Sequence, residues 1–482
     1  MPDAEANPMR KPILGILTAS ALNAACTSSN PNASPAANGG GDAAADVTTG
    51  PPADGGAPAT GLQKLNHVVV IILENWSYDS LYAEFDGGDG LANALQAPPQ
   101  TDVNGAVYDT LPMSEGHLAY ATFPNAPFDL DPYMGPGDDF TMDNTNNFYV
   151  EQQQIHGGKM DRFAALNSAK GLSMGYFKVG DLPLAAEATN GTLCDHFFHG
   201  VFGGSLQNNM FLVAAQPALF LDAGPSLYSV LDDAGNVVAN RQLTPDGYVV
   251  GTLEPAANPH TVLTSGDAAL PTVPPQTGVT IGDELSDKGV DWAWYAEGWN
   301  SAVSGDASPT VFNYHHQPFL YFAKYAEGTA ARAAHLKDEA EFVAAASGQS
   351  GPLPAVSFVK PDGIDDEHPM TTDVTAGEDH AEALINAVRN GPYWGDTAII
   401  ITYDENGGFW DHVPPPNSDR WGPGTRIPAI VISPYAKKHF VDSTVYDTSS
   451  ITALIEHRWG LAPLGTRDRD ANDMTNAFDF SQ

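Results

Sequence analysis

An α/β fold with a mostly parallel sheet is predicted for this 482-residue chain by three observations. Four short apolar runs, Val68–Leu73, Ala355–Val359, Ala398–Thr402 and Ile427–Ile432, are rich in β-branched residues and too short to be helices. They read as strands buried on both faces. Helical patterns separate or follow them, and strands alternating with helices imply a layered fold. The 47 glycines and 38 prolines predict many ordered loops around the core. In such folds ligands gather at the carboxyl ends of the strands.

The elements can be justified in chain order. Met9-Arg10-Lys11 precedes PILGILTASALNAAC. A short basic stretch, then a short apolar one, then small residues is the layout of an export signal over residues 1–26. Ala24-Ala25-Cys26 resembles a bacterial lipoprotein cleavage box, with Cys26 as the residue to be lipidated, although Asn23 departs from that box. The chain is therefore expected outside the cytoplasm, in the periplasm, at the cell surface through Cys26, or secreted. Residues 27–64 are small and polar and read as a tether. A catalytic domain follows over 65–482. No later apolar run approaches the ~20 residues of a membrane helix.

Val68–Leu73 ends abruptly in Glu74-Asn75, followed by Ser77 and Asp79, which suit the N-terminus of the next helix. From about 216 to 300 the pattern changes. Leu227–Leu231 and Val237-Val238 flank a Gly-containing turn and read as a hairpin within an inserted β-rich cap. Asp373–Asn390 reads as a helix with Gly391 as its C′ residue. Asp447–Trp459 reads as a second, with Asp447 as N-cap and Gly460 as stop.

The strand ending at Thr402 also runs straight into carboxylates, Asp404-Glu405. Either cluster alone reads as a polar turn or cap. Together, Glu74, Asn75, Asp404 and Glu405 form a hard oxygen set suited to a metal ion. Phe202-Gly203-Gly204-Ser205 precedes a helical pattern, where a serine could meet an anion, although most such turns are only turns. His315, His316 and His368 lie in loop-like sequence, where a surface hydrogen-bonding role is the default. His196 and His199, near Cys194, fit no zinc spacing.

The formal charge of −38 excludes nucleic acid as a partner and disfavours anionic membranes. A bound anion must find local positive charge in a metal, a helix N-terminus or a histidinium. Two cysteines, Cys26 and Cys194, make neither a disulfide scaffold nor a zinc finger.

Several segments, in this order, resemble the acid phosphatase and phospholipase C phosphoesterases of the alkaline phosphatase superfamily. The carriers are HVVVIILENWSYD, IHGGKMDRFAAL, FGGSLQNNMFLVAA, HHQPFLYF, DDEHP, YDENGGFWDHVPPP, GPGTRIPAIVISPYAK and NAFDF. The stretches HGGKMD, FGGS and HHQPF lean to the acid phosphatase branch. The resemblance implies a three-layer α/β/α sandwich and a metal-dependent acid phosphatase. One divalent or trivalent ion (Fe, Zn, Mn, Ca or Mg) would be held by Glu74, Asn75, Asp404, Glu405 and Ser205. Ser205 would be the nucleophile, forming a phosphoserine intermediate on a small phosphate ester, with His315, His316 and His368 around the phosphoryl or leaving oxygens. Asn146 and Asn208 would bind substrate, Asn146 standing where relatives carry histidine. The alternatives are a phospholipase C or other phosphodiesterase, and a tethered, non-catalytic ligand-binding protein.

Overall fold

The first apolar run forms strand β1, His67–Leu73, and every residue after His67 is buried. The computed structural model describes residues 61–113, 122–138, 144–233, 235–259, 271–305 and 312–482. The export segment with Cys26, and the tether up to residue 60, lie outside the described residues. The fold begins slightly before residue 65. Gly61–Lys64 is a 3-10 turn with Leu62 buried, and Lys64 Nζ donates to Phe480 O at 2.5 Å.

Seven more strands complete the sheet: β2 (Thr192–Cys194), β3 (Trp292–Ala296), β4 (Leu336–Asp338), β5 (Val356–Lys360), β6 (Thr397–Tyr403), β7 (Ala429–Ile432) and β8 (Phe440–Asp442). Their spatial order is β8-β2-β7-β6-β1-β5-β3-β4. The pairs β6-β1, β1-β5, β5-β3, β3-β4 and β8-β2 are parallel, and β7 alone runs against its neighbours. The continuous apolar character of β1 and β6 follows from this central position, where helices cover both faces. All four strands read from the sequence are present. The strand at Trp292–Ala296 is additional. Its WAWYA sequence lacks β-branched residues, and it falls inside the stretch assigned to the cap.

Four helices matter for the site: α1 (Ser205–Ala214), α2 (Glu339–Ala346), α3 (Val374–Arg389) and α4 (Thr448–Trp459). Helix α1 packs on α4, while α2 packs on α3. With the sheet they make a three-layer α/β/α sandwich. Asp373 caps α3 by accepting from Ala376 N, and Asp447 caps α4 by accepting from Ser449 N. Gly460 ends α4 with φ 63°. Gly391 instead keeps a negative-side backbone, and its missing Cβ makes room for Ala346 O, 1.9 Å from where that atom would stand. The hairpin is present as Val230–Leu231 paired with Val237–Ala239. The hairpin lies before the helix Ile281–Asp287, and Trp292–Ala296, at the end of the 216–300 stretch, belongs to the main sheet. Among the described residues no helix is long and apolar enough to cross a membrane.

One buried side chain of α3 makes the fold pH-sensitive. Burial pushes the Glu378 carboxyl up to about 8, against the Leu184 N–H that it accepts at 2.8 Å. The folded chain therefore holds this proton more tightly than the unfolded chain, whose glutamates titrate near ~4.3. Stability contributed by the neutral form is complete at low pH and is lost as pH rises towards 8, by up to ~1.4 kcal/mol per pH unit. Glu378→Gln is expected to flatten the decline of melting temperature between pH 5 and 8. Parallel curves for the two proteins would contradict this assignment.

Candidate active site

The centre of the sheet decides where the charged residues meet. Leu73 pairs with Tyr403, so Glu74 and Asp404 emerge side by side at the carboxyl ends of β1 and β6. Asp404 N donates to Leu73 O at 3.0 Å, and Asn75 N donates to Asp404 Oδ1 at 3.4 Å. Asn75 turns the chain with φ 68°, a left-handed conformation that asparagine tolerates better than most residues. The second turn locks onto it. Gly407 has φ 58°, and a Cβ there would lie 2.2 Å from Asn75 O. Trp76 fixes the pair from behind, stacking on Phe409 at 4.2 Å and donating through Nε1 to Glu367 O at 3.0 Å. Ser77 caps the next helix as expected, accepting from Ser80 N. Asp79 does more than cap, since it pairs with the buried Arg426 at 3.0 Å and with His412 at 2.7 Å.

Ser205 is the first residue of α1, buried, with Oγ donating to Glu74 Oε2 at 3.1 Å. The loop before it is held tightly. Gly203 has φ 90°, and a Cβ there would meet Phe148 N at 2.5 Å. Gly203 N donates to Glu151 Oε2 at 2.5 Å. The same buried carboxylate accepts from Thr425 N and pairs with His199 Nε2 at 2.9 Å. Asn208 is spent on this loop. Its Nδ2 donates to Val201 O, Gly203 O and Gly204 O, and its Oδ1 accepts from Val201 N. The expectation that Asn208 binds substrate is thereby corrected, because its amide has no group left to offer. Asn146 does reach the site, donating through Nδ2 to Glu405 Oε1 at 2.6 Å.

The histidines take unequal positions. His316 is fully buried, with Nε2 2.8 Å from Glu74 Oε1 and Nδ1 3.2 Å from Asp362 Oδ1. Burial opposes its charge, but Asp362 and Glu74 lift it to about 10. His315 stays neutral: burial and the neighbouring His316 push it well below the usual imidazole range. His368 is half-buried, its Nδ1 donating to Pro369 O at 2.6 Å. Lys360, the last residue of β5, had no place in the sequence reading. It is completely buried and ion-paired with Glu74. Burial raises the Glu74 carboxyl, yet Lys360 and then His316 hold it well below the usual range. The remaining carboxyls are less well neutralised. Burial and the charge of Glu74 push Asp404 to about 6 and Asp366 to about 7. Burial and Asp404 push Glu405 upward.

The donor set fits a metal ion. Asn75 Oδ1 and Asp404 Oδ2 are buried and receive no hydrogen bond. Orphaned oxygens of this kind are costly unless a cation takes them up. Glu74, Asn75, Asp404 and Glu405 supply oxygen only, beside the Ser205 hydroxyl. His196, by contrast, pairs with Asp195 and Asp89, and His199 with Glu151, so both are structural.

A model of the phosphoesterase family matches residues 65–462. The chain is 27% identical to phospholipase C A of Mycobacterium tuberculosis over 89% of this chain and 80% of that protein. It is 23% identical to the non-hemolytic phospholipase C of Pseudomonas aeruginosa, over 87% of this chain and 58% of the relative. Among solved structures, an alkaline phosphatase superfamily protein from Vibrio parahaemolyticus aligns over 71% of this chain and 75% of its own at 11% identity, TM-score 0.32.

Replacing Asp404 by alanine is expected to strip metal from the purified protein. Elemental analysis showing undiminished metal in Asp404→Ala would refute the ligand set.

Proposed function

The chain belongs to the phosphoesterase family and is a hydrolase of phosphoric ester bonds; on that premise we propose that it cleaves phosphodiesters in the manner of a phospholipase C, with Ser205 as nucleophile. The observation that carries this reading is Ser205 Oγ at the N-terminus of α1, 3.1 Å from Glu74 Oε2 and beside Asp404. A metal ion held by Glu74, Asn75, Asp404 and Glu405 would supply positive charge that lowers the hydroxyl pKa and stabilises the phosphoryl oxygens. Ser205 Oγ attacks phosphorus in line. The Oγ–P bond forms, the bond from phosphorus to the leaving oxygen breaks, and a phosphoserine remains for water to cleave. Glu74 Oε2 accepts from the hydroxyl and aligns it for attack, and the proton passes on to water, since Glu74 is too weak a base to keep it. The N–H groups that open α1 face the accumulating negative charge.

The proton donor to the leaving group is assigned to His368. His316 is pinned between two carboxylates, and His315 is held neutral, so neither gives up a proton readily. They serve instead to keep Glu74 oriented and to line the phosphoryl position. The diester preference draws on the phospholipase C relatives and on charge. A phosphodiester brings one negative charge into a protein of −38, while a monoester dianion brings two. The second reading, an acid phosphatase, rests on the HGGKMD, FGGS and HHQPF stretches. Residues 1–26 are proposed as an export signal, which would put either activity outside the cytoplasm, with Cys26 as the proposed lipid attachment.

Ser205→Ala is expected to abolish turnover, by at least ~10³-fold, while leaving the melting curve in place. A variant with more than a tenth of wild-type kcat would remove Ser205 from this role. Comparing p-nitrophenyl phosphorylcholine with p-nitrophenyl phosphate separates the two substrate readings. The proposal requires the higher kcat/KM on the choline ester, and the reverse order makes the protein a phosphatase.

A further inference from the structure

A cleft of about 730 Å³ opens between the helix Trp299–Ser304, the helix Ala330–His335 and the start of β4. Its volume is that of a small-molecule site. No residue of the site around Ser205 lines it. Ala302, Val303 and Leu336 give it apolar walls, and Trp299 and Arg332 stand beside them. Arg332 is the unusual member. It is only 9% exposed, and its Nη1 is buried without a hydrogen-bond acceptor. The two other buried arginines among the described residues are ion-paired, Arg426 with Asp79 and Asp411, and Arg467 with Asp419. The chain has 59 acidic residues against 21 basic ones, so a buried arginine left without a carboxylate is unexpected. Glu327, exposed on the same cleft, acts on Arg332 through charge at a distance and not through a hydrogen bond.

The guanidinium is nevertheless held in place. Its Cζ lies 4.9 Å from the centre of the Trp299 ring, and Trp299 packs edge-on against Phe312 at 5.8 Å. Thr329 Oγ1 accepts from Arg332 N at 3.2 Å and fixes the backbone that carries the side chain. A cation over an aromatic face spends none of its N–H groups. A buried donor of this kind is costly until an acceptor meets it.

We propose that this cleft binds a small-molecule carboxylate with an apolar body, anchored on Arg332. The planar fork of arginine matches a carboxylate, one N–H for each oxygen. A modest turn of the guanidinium towards the cleft gives Nη1 the acceptor it lacks. A phosphate dianion fits less well, because the cleft offers one cation and adds the charge of Glu327. The apolar body lies along Ala302, Val303 and Leu336.

The test is calorimetric titration of the full-length protein with phenylacetate and with phenylacetamide, its neutral isostere, each with and without EDTA. Phenylacetate is expected to bind at least ~10-fold more tightly than phenylacetamide, the effect of one charge-assisted pair. EDTA is expected to change neither affinity, which separates the cleft from the metal-type oxygens near Ser205. Arg332→Gln is expected to erase the preference, and Arg332→Lys to keep part of it. Val303→Trp, at an exposed position on the wall, fills the cleft and leaves Arg332 in place. It is expected to weaken phenylacetate by ~5-fold or more, and it carries the test where Arg332→Gln fails to fold. No phenylacetate binding, equal affinity for the two probes in wild type, or binding lost with EDTA overturns the proposal. So does a preference that survives in folded Arg332→Gln, or undiminished binding in folded Val303→Trp.

Discussion

The arrangement depends on one buried carboxylate. Glu74 sits at the carboxyl end of the central strand with no exposure to solvent. A lone charge there would be prohibitive, costing several kcal/mol or more. The fold answers by bringing Lys360 from β5 and His316 from the 3-10 turn after β3 onto the same carboxylate. Those two cations are themselves buried, and they need Asp362, Asp366 and Asp404 around them. The charges therefore form a closed set in which each member is tolerable only because of the others. Ser205 joins this set through its hydrogen bond to Glu74, so its hydroxyl is positioned by the same carboxylate that charges the end of the central strand.

The closed set also reconciles the site with its surroundings. A surface at −38 repels phosphate esters, and the attraction has to be local. Lys360 and His316 are too tightly paired with Glu74 and Asp362 to provide it. The free attraction comes from the N–H groups opening α1, and a cation taken up by the unpartnered oxygens of Asn75 and Asp404 would add to it. These local groups work against the repulsion of the net charge, which still weighs more on a dianion than on a monoanion.

Much of this was legible in the sequence, and for a physical reason. An apolar strand ending in a carboxylate is costly, and the two strands that do so, at Glu74 and Asp404, proved to be neighbours in register. Lys360 obeyed the same rule at the end of β5 and was passed over, because a lysine beside a proline reads as the start of a loop. Trp292–Ala296 was hidden by its aromatic and alanine content, which lacks the β-branched signature of the other strands. Asn208 lay beyond any local pattern. Its amide looks the same in sequence whether it meets a phosphate or the carbonyls of Val201, Gly203 and Gly204. Glu151 was equally silent, since only the folded chain brings it to Gly203 N and His199.

The position of β1 has a further consequence for how the molecule comes to be. Val68 pairs with Val356 on one side and with Ala398 on the other. The central strand is therefore made first, and both of its neighbours arrive only after most of the chain has been synthesised. Loop closure over such distances is slow, and an apolar strand waiting without partners invites aggregation. The sheet cannot close prematurely around an incomplete polypeptide, and Ser205, the carboxylates and the lysine stay scattered until the last third of the sequence has arrived.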